Sequence, residues 1–104
     1  MTTARPISRV GLIARLKMPQ ALAALAEAAV WLDAHGCTPI VELESARGAG
    51  IEGRWTSEPR GSFAGHVDVV LAFGGDGTLL DAAGLVVHSA RDALLMGINF
   101  GRLG

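Results

Sequence analysis

Val67-Asp68-Val69-Val70-Leu71-Ala72-Phe73-Gly74-Gly75-Asp76-Gly77-Thr78 decides the fold. Its first seven residues are almost continuously apolar, as in a parallel strand covered on both faces. Three glycines in the next four residues then break it sharply. From Thr78 to Ala90 the sequence returns to a helical period, with Leu79, Ala82, Ala83, Val86 and Val87 on the expected buried side. A strand, a tight glycine turn and a helix therefore follow one another within about two dozen residues.

The same alternation extends in both directions. Arg9 to Ala14 reads as a first strand, and Pro19 suits the first turn of the helix after it. Leu22, Leu25, Ala26, Ala29 and Leu32 form one face of that helix, widened by Val30 and Trp31. Gly36 is the expected left-handed cap. Thr38 to Leu43 reads as a second strand, shortened or edged by Pro39. Beyond the central turn, Leu94 to Asn99 is a further strand. Ser45 to Gly65, with five glycines and Pro59, reads as a long loop holding at most one short helical turn. Trp55 is its expected packing anchor. The expectation is an α/β fold: an open parallel sheet of about four strands with flanking helices, Rossmann-like or flavodoxin-like, in the order 2-1-3-4. That order puts the loops after the first and third strands at a switch point, where such sheets bind ligands.

Composition narrows the function classes. The chain has 104 residues, one domain on a length prior. Half are hydrophobic and 18% are charged, which opposes disorder. Nine basic against ten acidic residues leave no basic footprint for nucleic acid. No apolar run reaches the length of a membrane span, and Met1 to Ser8 lacks a signal-peptide pattern. With Cys37 as the single cysteine, the expected setting is cytoplasmic, without disulfides or a cysteine zinc site. Cys37 reads as a core-edge thiol, and His35, His66 and His88 lack ligand spacing. Arg5, Arg9, Arg54 and Arg60 read as solvated charges.

The chemistry concentrates in the turn. Gly74, Gly75 and Gly77 let the backbone approach a ligand closely, and the helix start behind them offers N–H groups and a positive dipole end to phosphate. Thr78 can cap that helix, with Asp81 completing an imperfect capping box. Asp76 would repel phosphate unless a metal bridges them or it takes a proton from a hydroxyl nucleophile, and both are tasks of phosphoryl transfer. The other reading of Asp76 is a cap or turn former. There is no P-loop lysine motif, and Leu80 stands where a dinucleotide fingerprint needs its third glycine.

Gly74 to Leu80 resembles the glycine motif shared by NAD kinases, diacylglycerol and sphingosine kinases and, more loosely, 6-phosphofructokinases. Gly97-Ile98-Asn99-Phe100-Gly101-Arg102-Leu103-Gly104 resembles the second motif of NAD kinases, and the Gly-Thr-Gly-Asn-Asp run of the lipid kinases is missing. The resemblance covers nearly the whole chain outside 45–65. It implies the N-terminal domain of an NAD kinase, residues 1–104, without the family's β-rich second domain and inactive alone. The implied reaction transfers phosphate from ATP or polyphosphate to the 2′-hydroxyl of NAD, giving NADP, with a divalent metal such as magnesium. Asp76 matches the general base, an indirect partner of the metal. Gly74, Gly75, Gly77, Thr78, Asn99, Gly101 and Arg102 match nucleotide-binding positions, with Leu103 in the same motif. The position of Asp81 is often basic in the family, and the acid here leaves phosphate neutralisation to Arg102, Arg15, Lys17 or residues not in this chain. A full-length homo-oligomer is also implied. A non-catalytic nucleotide-binding module and a lipid-kinase-type domain remain as alternatives.

Overall fold

The computed structural model describes residues 7–100. Along the chain run β1 (Arg9–Ala14), α1 (Pro19–Ala34), β2 (Thr38–Glu42), α2 (Leu43–Ala49), β3 (Thr56–Glu58), α3 (Arg60–Phe63), a 3-10 turn (Ala64–His66), β4 (Val69–Gly74), α4 (Asp76–Val87) and β5 (Leu94–Asn99). One five-stranded sheet holds all the strands in the order β3-β2-β1-β4-β5, and every pairing is parallel. The expected four-strand order is present within it, and the addition is β3 at one edge. The expected 45–65 loop is thus corrected. It contains most of α2, then β3, α3 and a turn, segments too short for periodicity to reveal.

The period-2 alternation of β1 and β4 divides the core by sheet face. Leu12, Ala14, Val69 and Phe73 meet Ala21, Leu25 and Ala29 of α1 and Ala46 of α2. Ile13, Val70 and Ala72 point the other way, to Phe63, Val67 and Ala82. Phe63 and Leu12 are fully buried. Gly11 is required on the second face, because a Cβ there would lie 2.8 Å from Phe63 Cζ and 3.0 Å from Val67 Cγ1.

Several local expectations shift for identifiable reasons. Pro39 does not mark an edge, since β2 lies between β1 and β3. Its missing N–H is tolerated because β2–β3 pairing begins only at Ile40. Gly36 does take the left-handed conformation, φ +83°, just after the helix cap at His35. Val30 and Trp31 do not widen the buried face of α1. They are 47% and 58% exposed, and the Trp31 ring stacks on His35 with centroids 3.8 Å apart. Val87 is likewise exposed on α4. Trp55 is partly buried against the α1 side of the core, as a packing residue should be. Arg9 is tied rather than merely solvated, its Nε donating to the His66 carbonyl at 2.6 Å.

At the opposite end of the sheet from the glycine turn, Asp68 joins β1 to β4. Its carboxylate accepts from the backbone N–H of Arg9 at 2.9 Å and of Ser8 at 3.0 Å, and it pairs with Arg91. The two backbone donors and then Arg91 hold its pKa down to about 2 from 3.8. A depressed carboxylate stabilises the fold above its unfolded pKa and stops doing so as pH falls through the folded one. Urea melts should therefore lose about 2 kcal/mol between pH 5 and pH 2 through this group. Asp68→Asn should remove that share of the acid sensitivity. An unchanged pH dependence in the variant would contradict this assignment.

Candidate functional site

The strand order reverses direction at β1. From β1 the chain builds outward through β2 and β3, then crosses back to β4 on the other side. The segments leaving β1 and β4 consequently diverge to opposite faces, and the crevice at their carboxyl ends is where an open α/β sheet accepts ligands. Arg15 N–H donates to the Phe73 carbonyl at 2.9 Å, which ties the two exits together.

Gly74 ends β4 with φ +157°, a backbone that side chains rarely adopt. A Cβ there would lie 2.5 Å from Thr78 Oγ1 and 3.1 Å from Arg15 Cβ. The turn thus needs glycine for both its conformation and its close packing. Gly75 is the residue that caps α4, and no side chain caps this helix. The expected capping role of Thr78 is therefore corrected. Thr78 sits in the first turn and is buried against Gly74. Asp81 is also outside any capping box and forms an ion pair with Arg60 at 3.0 Å.

Asp76 is the first residue of α4 and is exposed. Among the described residues its carboxylate makes no hydrogen bond or ion pair, so it neither caps the helix nor braces the turn. Its charge still suits the helix start. Asn99 ends β5 directly opposite Gly74 in the strand pairing. Gly74, Gly75, Asp76, Leu79, Gly97 and Asn99 line one small crevice of about 90 Å³. Gly97 lets α4 settle on β5, for a Cβ there would meet Leu79 Cδ1 at 3.1 Å. The two glycine motifs, which begin at Gly74 and Gly97, thus converge on one rim. Gly101, Arg102, Leu103 and Gly104, the last positions of the second motif, lie outside the described residues.

On the other side of the turn is a larger cleft of about 580 Å³, lined by Arg15 and Lys17 after β1, Gly77, Thr78 and Asp81 of α4, and Arg60 of α3. A buried network fixes the end of β1. Glu42 Oε1 accepts from Ser45 Oγ at 2.7 Å and from Ser45 N–H at 3.0 Å, while Ser45 Oγ accepts from Ala14 N–H at 3.0 Å. Glu42 is the N-cap of α2 and is only 2% exposed. The sequence reading missed this pair, because Ser45 fell within the supposed loop. The usable signal was an acceptor side chain at the end of a strand, three residues before a serine.

The whole described length beyond β1's first residue takes part in a recognisable pattern. Residues 10–104 match the family model described as the ATP-NAD kinase N-terminal domain. The chain belongs to the NAD kinase family. It is 34% identical over 98 residues to an NAD kinase of Syntrophotalea carbinolica, and 38% identical over 100 residues to one of Halorhodospira halophila. These matches cover 94% and 95% of this chain but 33% and 32% of the relatives, so it spans about a third of their length. The fold superimposes on yeast NADH kinase, whose crystal structure is a complex with NADH. The TM-score is 0.72 at 17% identity, covering 96% of this chain and 33% of that one. At that identity the likeness carries the architecture alone, and it agrees with the five-stranded parallel sheet of this NAD kinase domain.

Among the described residues, no group of three or more His, Cys, Asp or Glu side chains is placed to hold a metal ion. Of the two carboxylates near the glycine turn, Asp81 is paired with Arg60, and Asp76 has no partner among the described residues. That fits magnesium, which is commonly held by one or two carboxylates together with substrate phosphates. It does not fit a metal caged by protein. No described helix is long and apolar enough to cross a membrane.

Proposed function

We propose that this chain is the N-terminal α/β unit, residues 1–104, of an enzyme that phosphorylates the 2′-hydroxyl of NAD to give NADP, with ATP or polyphosphate as donor. The observation that carries the reading is the placement of Asp76. It stands exposed at the start of α4, unpaired among the described residues, in the same crevice as Asn99, at the switch-point end of the sheet.

In this reading the Asp76 carboxylate accepts the proton of the 2′-hydroxyl as that oxygen attacks the terminal phosphorus of the donor. The new O–P bond forms as the bond from phosphorus to the donor's bridging oxygen breaks, and the shortened phosphate chain leaves with that oxygen's electrons. Gly74, Gly75, Gly77 and Thr78 shape the turn against which the phosphates lie, and the N–H groups of α4 face them. Asn99, with Gly101 and Arg102 after it, orients the acceptor nucleotide. Magnesium bound with the donor would lower the charge on the transferring group. The rest of the NAD pocket and the contacts of a homo-oligomer belong to the β-rich second domain of such enzymes. Positioning and charge compensation account for most of the catalysis expected in phosphoryl transfer.

The test is the product. The enzyme expressed from its native reading frame, given NAD, magnesium and either ATP or polyphosphate, should yield a nucleotide whose new phosphorus signal couples to the ribose 2′ position. Nucleotide binding without any transfer would instead support a non-catalytic module, and a phosphorylated lipid would support the lipid-kinase alternative.

A further inference from the structure

One buried polar network takes no direct part in the proposed transfer. Glu42 and Ser45 are 2% and 0% exposed, and Glu42 has no cationic partner among the described residues. Burying such groups is costly unless their hydrogen bonds are met. The Glu42 carboxylate accepts from Ser45 Oγ, Ser45 N–H and Glu44 N–H, at 2.7, 3.0 and 2.8 Å. Ser45 Oγ in turn accepts from Ala14 N–H at 3.0 Å. The place of this last bond is informative. β1 pairs with β2 as far as Leu12 and Val41, but with β4 as far as Ala14 and Phe73. Ala14 is buried, and the Ser45 hydroxyl meets its N–H where β2 has already turned into α2. The hydroxyl thus stands in for a strand carbonyl, and without it a buried N–H would be orphaned.

We propose that Ser45, held by Glu42, is a positioning residue for Asp76, a role that rests on the phosphotransferase reading for the reaction it serves. The contacts run without a gap. The N–H after Ala14, that of Arg15, donates to the Phe73 carbonyl at 2.9 Å. Phe73 precedes Gly74, where a Cβ would lie 3.1 Å from Arg15 Cβ, so a shift of Arg15 passes to the turn. The Gly74 carbonyl accepts from Phe100 N–H at 2.9 Å, and the Gly75 carbonyl from Leu79 N–H at 3.2 Å. Asp76 follows directly. Gly48, one helical turn after Ser45, seats α2 on the same β1–α1 segment. A Cβ there would lie 3.3 Å from Leu22 Cδ2 and 3.7 Å from Leu16 Cδ2. Ser45 therefore fixes the exit of β1, and the exit of β1 fixes the exit of β4. A reacting group displaced by about 1 Å can lose roughly a hundredfold in rate, so this brace matters to the chemistry.

Ser45→Ala, made in the enzyme expressed from its native reading frame, tests this by hydrogen exchange and by kinetics. Exchange of the Ala14 N–H must rise in any case, because its acceptor is gone. The positioning role predicts that the N–H groups of Arg15, Leu79 and Phe100 also exchange about tenfold or more faster. It predicts a kcat for NADP formation about tenfold or more lower, with KM for NAD and for the donor moving less than about threefold. Ser45→Thr keeps the hydroxyl and should hold both readouts within about threefold of native. Should Ser45→Ala fail to fold, Ser45→Cys, close in size but a weak acceptor, gives the same comparison. Leu32→Ala controls for stability alone, as a core truncation at the end of α1 that leads to β2. At a temperature where it stays folded, it should keep native kcat. Faster exchange confined to Ala14 would overturn the proposal. So would a native kcat in Ser45→Ala, a Ser45→Thr as impaired as Ser45→Ala, or an equal loss of kcat in Leu32→Ala. A native enzyme that makes no NADP would sink the phosphotransferase reading instead, and the exchange pattern would still decide whether Ser45 holds the turn.

Discussion

Replacing Phe63 by alanine is expected to lower the unfolding free energy by about 3–5 kcal/mol, the range for truncating a buried Phe. Phe63 is fully buried at the end of α3, packed with Ile13, Ile40, Val67, Val70 and Ala82. A domain of this size holds roughly 5–15 kcal/mol in total, so the loss would consume a large share. The thermal midpoint should fall by on the order of 20 °C. A second measurement separates packing from other causes. Gly11→Ala alone should destabilise, because its Cβ would sit 2.8 Å from the Phe63 ring. Added to Phe63→Ala it should cost less than it does alone, because the ring it would meet is gone and only the Val67 contact at 3.0 Å remains. A Phe63→Ala loss below about 1 kcal/mol, far under the range for such a site, would show that the 60–66 segment is not docked on the sheet as described.

That segment also marks the boundary of what could be read in advance. The strands β1, β2, β4 and β5 and the helices α1 and α4 announce themselves through long apolar runs or helical spacing, so the sheet order and its switch point could be anticipated. The stretch from Ser45 to Gly65 could not. α2 has seven residues, α3 four and β3 three, too few for a period to register. Their placement is decided by tertiary contacts: Phe63 in the core, and Ser45 bridging Glu42 to the end of β1. The same limit affected the site. The glycine turn and Asp76 are contiguous, and their strand–turn–helix setting is local. Arg60 reaches the cleft only because α3 packs beside α4, a relation that spacing does not encode. Nor does local pattern show that Trp31 stays exposed or that Gly75 rather than Thr78 caps α4.

The second large effect is catalytic. Asp76→Asn, in the enzyme expressed from its native reading frame, is expected to lower kcat for NADP formation by about 10²–10⁴, the usual share of a general base. The amide keeps the size and polarity of the side chain but accepts no proton at neutral pH. KM for NAD and for the phosphate donor should change much less, because the residue acts on the proton in flight. Stability should fall by no more than about 1 kcal/mol, the share of a charge at a helix start, since Asp76 is exposed and gives up no hydrogen bond or ion pair among the described residues. The most direct measurement is therefore a single-turnover rate of phosphoryl transfer at saturating NAD and donor, compared between the native enzyme and Asp76→Asn at matched thermal stability. The expected rate is lower by at least about a hundredfold, with a melting temperature changed by no more than a few degrees. A variant that transfers phosphate at near-native rate would contradict it.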